Sequence, residues 1–136
     1  MYTNIYVGVK PGEDAEVLVQ AAIGVLADGG NATLCSIVTA TNKEIGPGYL
    51  RQVEGALAAC TERLESPGRE ATWSYEVDVS AIPAGVELAS RAERADADLI
   101  VIGHLRRSRV GKALLGSDAQ SVLLRAVAPV LCLRTD

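Results

Sequence analysis

The chain has 136 residues, enough for one domain that buries about two-thirds of the surface its unfolded form exposes. Apolar residues at 49% and charged residues at 22% make it globular and exclude a disordered chain. A net charge of −4, no phenylalanine, one tryptophan and four tyrosines argue against nucleic-acid binding, which needs phosphate neutralisation and, for single strands, stacking surfaces.

Asn4-Ile5-Tyr6-Val7-Gly8-Val9 reads as a first strand buried on both faces. Lys10-Pro11-Gly12 is turn chemistry, and Glu13, Asp14 and Glu16 place negative charge where a helix begins. Val17, Leu18, Ala21, Ala22, Val25 and Leu26 then recur at helical spacing up to a stop at Asp28-Gly29-Gly30. Ala32 to Val38 is a second strand, and Thr39 to Gly48 is the longest stretch without an element. Val53, Leu57, Cys60 and Leu64 mark a second helix that ends before Pro67-Gly68. Ala71, Trp73, Tyr75, Val77 and Val79 alternate with polar residues, which predicts a half-covered strand at a sheet edge. Ile82-Pro83 leads into a third helix carrying Val86, Ala89 and Ala92-Glu93. Asp96-Ala97-Asp98 separates it from Leu99-Ile100-Val101-Ile102, apolar throughout and therefore a central strand. Ser117 to Ala126 is a fourth helix, and Pro129 to Leu133 holds a last strand.

The order βαβαβαβαβ specifies a single α/β domain over residues 1–136 with a parallel sheet. In such sheets ligands bind beyond the carboxyl ends of the strands, where the winding reverses. With the first and fourth strands as central neighbours, that crevice is lined by Val9-Lys10 and by Gly103 onward. There an apolar run stops at Gly103, a basic loop with Arg106, Arg107, Arg109 and Lys112 follows, and Gly116-Ser117 opens the last helix. Strand, glycine, cationic loop and helix start are the parts of a phosphate site. Cys35, Cys60 and Cys132 are an odd number in apolar settings, which predicts small buried hydrophobes and a reducing compartment. The chain runs from Met1 directly into a strand and no apolar run approaches the ~20 residues that cross a bilayer, so a cytoplasmic protein is expected.

Over nearly its full length the chain resembles the universal stress protein family. The residues that carry the resemblance are Ala97-Asp98-Leu99-Ile100-Val101-Ile102-Gly103, Leu114-Leu115-Gly116-Ser117 and Ala128-Pro129-Val130-Leu131. The resemblance implies an open, Rossmann-like sheet of order 3-2-1-4-5 with helices on both faces. It also implies a homodimer through the last strand (Val130, Leu131, Cys132, Leu133), with antiparallel pairing across it. One branch of the family binds ATP in the crevice, with Mg²⁺ accompanying the nucleotide, and another does not. The ATP-binding branch carries Gly-x-x-Gly, nine residues, then Gly-Ser or Gly-Thr; Gly103, Gly116 and Ser117 match, while Arg106 stands at the middle glycine. Lys10 stands where the family has an acidic residue that touches the adenosine.

The resemblance assigns the nucleotide site to Val9, Lys10, Gly103, Arg106, Gly116 and Ser117. A carboxylate such as Asp118 at ~4 Å from a phosphate costs up to ~4 kcal/mol at a surface site. Each charge-assisted bond from Lys10, Arg106, Arg107, Arg109 or Lys112 returns ~1.5–3 kcal/mol where it reaches. Side-chain cations in place of a backbone cradle, and a site remade for a smaller anion, are both open. The bland alternatives are turn glycines at 103 and 116, a helix-capping Ser117 and a first-turn Asp118. His104 is the single histidine and has no recognisable partner for catalysis. No Walker-type loop is present, since Lys112 precedes alanine. The expected protein is a small regulator without turnover of its own; the rivals are a dimeric interaction module of the same family and a weak nucleotide phosphohydrolase.

Overall fold

Leu99-Ile100-Val101-Ile102-Gly103 is buried at every residue because this strand has a neighbour on each side and cover on each face. The computed structural model describes residues 1–13, 15–39, 46–64, 70–103, 105–107 and 113–135. Its elements in chain order are β1 (Tyr2–Gly8), α1 (Glu16–Val25), β2 (Leu26–Thr39), α2 (Pro47–Leu64), β3 (Thr72–Ser80), α3 (Ala84–Arg94) and β4 (Leu99–Gly103). There follow β5 (Leu105–Arg107), β6 (Ala113–Leu115), α4 (Ser117–Arg125) and β7 (Val130–Leu133). The main sheet has five parallel strands in the order β3-β2-β1-β4-β7, the expected 3-2-1-4-5.

The period of two along each strand divides the apolar residues between two cores. Ile5, Val7, Leu99 and Val101 pack with Leu18, Val19, Leu57 and Trp73 on the α1 and α2 side. Tyr6, Ile100 and Ile102 pack with Leu88, Ala92, Ala119 and Val122 on the α3 and α4 side. Both faces are therefore covered, which is why the inner strands read as unbroken apolar runs. β3 lies at the edge as its alternation predicts: Trp73 is buried while Tyr75 and Val79 are each 40% exposed.

Three local details differ from the sequence reading. Helix α1 ends at Val25, and the Asp28-Gly29-Gly30 stop is taken up inside β2. Tyr2 pairs with Leu26 and Asn4 with Asn31, so β2 carries extra residues there as a bulge, with Gly29 at φ +77°. On α3 the buried face is Gly85, Leu88, Ala89 and Ala92, with Val86 only half-buried. The basic segment read as a loop contains a small antiparallel hairpin, Leu105 opposite Leu115 and Arg107 opposite Ala113. The pairing satisfies backbone groups of these two short strands without a core of their own.

At the amino ends of the strands, Asp98 ties β4 to β1. Its carboxylate accepts the Thr3 amide at 2.9 Å, the Thr3 hydroxyl at 3.0 Å and the Asn4 amide at 2.9 Å. Desolvation opposes its charge, but these donors outweigh it and hold the carboxyl below the usual range. Among the described residues no helix is long and apolar enough to cross a membrane.

Candidate functional site

The carboxyl ends of β1, β2 and β4 open into a cleft of about 290 Å³. Its floor is apolar, from Ile37, Leu88, Ile102 and Val122; Ala84 and Gly85 of α3, Asp118 and Ala119 of α4, and Tyr49 of α2 stand around it. β1 lies between β2 and β4, and the chain winds away from it in opposite directions on the two sides, so the cleft sits at the switch point of the sheet.

Two glycines shape this space by close approach. A Cβ at Gly8 would lie inside van der Waals contact of the Leu88 side chain and 3.1 Å from Ile102 Cγ2. A Cβ at Gly85 would strike the Asp118 backbone, 2.9 Å from both its carbonyl carbon and its Cα. The Gly85 amide donates to Asp118 Oδ1 at 3.1 Å, so Asp118 caps the start of α3 from the first turn of α4. It is the first-turn acid expected of α4, with this second task added. Among the described residues no three His, Cys, Asp or Glu side chains cluster as metal ligands.

Val9 and Lys10 both border the cleft. The Val9 side chain packs in the core on the α1 side, its amide donates to the Cys35 carbonyl at 2.9 Å, and its carbonyl accepts the Ser36 hydroxyl at 2.6 Å. Lys10 opens a turn closed by the Glu13 amide on its carbonyl at 2.9 Å, with Pro11 second and Gly12 third at φ +83°, the arrangement of a type II turn. Its own amide donates to Glu13 Oε1 at 3.1 Å.

Of the other expected site residues, Gly103 ends β4 and Gly116 and Ser117 stand at the head of α4; none of these three borders the cleft. A Cβ at Gly103 would run into Thr135 Cγ2 and lie 3.0 Å from Leu18 Cδ2, so the missing side chain admits the segment after β7. Thr135 in turn donates its hydroxyl to Glu13 Oε2 at 3.4 Å. Gly116 is the N-cap of α4 with extended backbone, and its carbonyl accepts the Gln120 amide at 3.0 Å. Ser117 is the first helical residue and is exposed; the N-cap is Gly116, and among the described residues no side-chain cap bond is made there, so Ser117 does not have the capping role considered for it. Arg106 stands in β5 opposite Leu114. His104, Arg109 and Lys112 lie outside the described residues.

Sequence reasoning missed Tyr49, Gly85, Leu88, Ala119 and Val122. The i, i+3, i+7 recurrence of Gly85, Leu88 and Ala92 was the available signal on α3.

Behind the floor a charged network anchors α3 to the edge strand. Arg91 donates to Glu87 Oε1 at 2.9 Å, to Glu76 Oε2 at 3.2 Å and to Asp78. Tyr6 donates its hydroxyl to Glu76 Oε1 at 2.6 Å, and burial together with that bond raises its phenol above the usual value. Cys35 lies beside it, its thiol pushed up to about 12 by burial and then by Glu76. It is a protonated, buried thiol, the small hydrophobe expected. Cys60 is also buried, Cys132 is half-buried, and all three are free.

A family model described as the universal stress protein family matches residues 1–134. A universal stress protein of Mycolicibacterium smegmatis is 46% identical over 56 residues, a match to 38% of this chain that spans 43% of that protein's length. The structure of the universal stress protein from Archaeoglobus fulgidus is similar with a TM-score of 0.77 at 25% identity, covering 97% of this chain and 98% of that one. A structure of the universal stress protein from Archaeoglobus fulgidus in complex with dAMP has a TM-score of 0.68 at 21% identity, over 96% of this chain and 97% of that one.

Proposed function

The chain belongs to the universal stress protein family, and from that premise we propose that its cleft binds an adenine nucleotide in a small regulator with no turnover of its own. The observation that carries this reading is the cleft itself, an apolar slot at the switch point of the sheet with Lys10 at one side and the head of α4 at the other. A purine fits the apolar floor, with Val9 at its border, its side chain turned into the core on the α1 side. Gly103, Gly116 and Ser117 turn amides and a hydroxyl toward the 5′-phosphates, and Arg106 supplies charge where the family pattern has a glycine. Universal stress proteins of the same fold solved with dAMP, with cAMP and with AMP support the ligand class. ATP is one candidate occupant, with Mg²⁺ only where ATP is bound.

Freshly purified protein is denatured and whatever it releases is chromatographed, and stripped protein is titrated calorimetrically with ATP and AMP. An adenine nucleotide in the released fraction, or saturable heat below about 1 mM, is the expected result. No released nucleotide and no heat at millimolar concentration overturns it.

A second reading, a dimeric interaction module, is favoured by one observation. Leu124 in the last turn of α4 and Val127 beyond it are 86% and 75% exposed, beside the terminal strand of the sheet. An apolar patch next to an unpaired strand edge suits a homodimer through Val130, Leu131, Cys132 and Leu133. Sedimentation at micromolar concentration is expected to give a dimer, and a monomer contradicts it. Arg106→Gly separates the two readings: ATP binding that appears only in this variant makes the native site a remnant and the interface the function.

A further inference from the structure

Among the described residues that border the cleft, Lys10 and Asp118 alone carry charged side chains. Asp118 is engaged through the Gly85 amide. Lys10 is held by its main chain alone, its amide on Glu13 Oε1 and its carbonyl under the Glu13 amide, while Glu13 Oε2 takes the Thr135 hydroxyl. Among the described residues no carboxylate forms an ion pair with the Lys10 ammonium. The turn with Pro11 and Gly12 fixes where the side chain starts, at the end of β1. The cleft thus has on its border a rooted, half-buried cation with no ion-pair partner among the described residues, and such a group is poised for an anion.

Which anion follows from where Lys10 stands. This step rests on the nucleotide reading above, in which the 5′-phosphates lie toward Gly116 and Ser117 on the far side of β4. Lys10 lies just beyond β1 and borders the floor that takes the nucleoside in that reading, so the ribose is the part of the ligand nearest to it. Among dinucleotide-binding α/β folds an acid beside the ribose accepts from a free hydroxyl, whereas a cation there accommodates a phosphate. We infer that Lys10 makes this cleft selective for adenosine nucleotides that carry a phosphate on the ribose in addition to the 5′-phosphate.

The intact chain is titrated with AMP, adenosine 3′,5′-bisphosphate and adenosine 2′,5′-bisphosphate, as native protein and as Lys10→Ala and Lys10→Glu, each checked for folding by its thermal melt. One of the bisphosphates is expected to bind native protein about 10- to 100-fold more tightly than AMP, the worth of one charge-assisted hydrogen bond. That ratio is expected to fall to about one in Lys10→Ala and below one in Lys10→Glu, whatever the affinity for AMP itself becomes. A native ratio of one overturns the inference. So does a ratio that survives both substitutions, because the extra phosphate is then held elsewhere or Lys10 serves the 5′-phosphate. If neither AMP nor either bisphosphate binds, the nucleotide reading itself fails; AMP binding with a ratio of one removes the inference alone.

Discussion

Gly85→Ala is expected to lower the stability of the chain by about 2 kcal/mol, while Gly55→Ala is expected to raise it by about 0.5–1 kcal/mol. The chemical change is the same and both residues are helical, so intrinsic propensity favours alanine at both. At Gly55 of α2 nothing lies within 4 Å of the new methyl, and the full propensity gain is realised. At Gly85 the methyl meets the carbonyl and Cα of Asp118, backbone atoms of α4 that cannot rotate away. The first turns of α3 and α4 have to separate, which stretches the Gly85–Asp118 hydrogen bond and leaves a part-buried acceptor poorly served. Thermal melts read both effects, with roughly an 8 °C fall for the first and a rise of roughly 3 °C for the second. Both Gly85 and Asp118 border the cleft, so Gly85→Ala also weakens nucleotide binding and Gly55→Ala leaves it as it was. A rise at both positions would mean that α3 and α4 are not in contact as described.

Arg91→Ala is expected to cost about 2–3 kcal/mol at neutral pH, between the worth of an exposed ion pair and that of a buried one. The middle value follows from exposure: the Arg91 side chain is 20% exposed and Glu87 15%, while Glu76 and Asp78 are 38% and 54% exposed. Glu76 and Asp78 would be left without their cation, Glu87 would keep only Arg94 at 3.4 Å, and α3 would lose its tie to β3. The pH dependence adds a signature. The Arg91 hydrogen bond, then the Val79 amide, holds the Asp78 carboxyl below its usual range. A depressed folded value means that the stability from Asp78 is present in full above the ordinary carboxylate range and is lost as pH falls through the depressed value. Arg91→Ala removes the largest cause, so stability should fall less steeply between about pH 5 and pH 3 than in the native chain. Asp98 keeps its own donors in both proteins, so part of the acid slope remains. Urea unfolding at several pH values measures the difference, and parallel curves would contradict it.

The elements differ in how plainly the sequence announces them. Leu99 to Ile102 could be placed at the sheet centre because burial on both faces removes any polar alternation, and the alternation from Thr72 to Val79 marked the edge for the converse reason. Val9 and Lys10 were legible as cleft residues because they follow an inner strand in a doubly wound order. Asp28-Gly29-Gly30 misled on the start of β2, since a bulge and a chain-reversing turn use the same residues. The hairpin of β5 and β6 was hidden because strands three residues long leave too few positions for a period of two. Gly85 and Asp118 were not paired in advance because their contact joins two helices 33 residues apart, and neither residue carries a local mark of its partner. Tyr6 was read as one more apolar strand residue; its partner Glu76 lies 70 residues away on the edge strand. Local periodicity specifies the scaffold, whereas the cleft is made by close approaches between elements.

The most direct measurement is a methyl-resolved NMR titration of the intact protein with AMP. Binding in the cleft predicts that the methyl signals of Ile37, Leu88, Ile102 and Val122 shift together and saturate together, while Ile23 and Leu26, at the opposite ends of the strands, stay in place. Saturable shifts at Ile23 and Leu26 with the four cleft residues unmoved would contradict the assignment of this cleft as the nucleotide site.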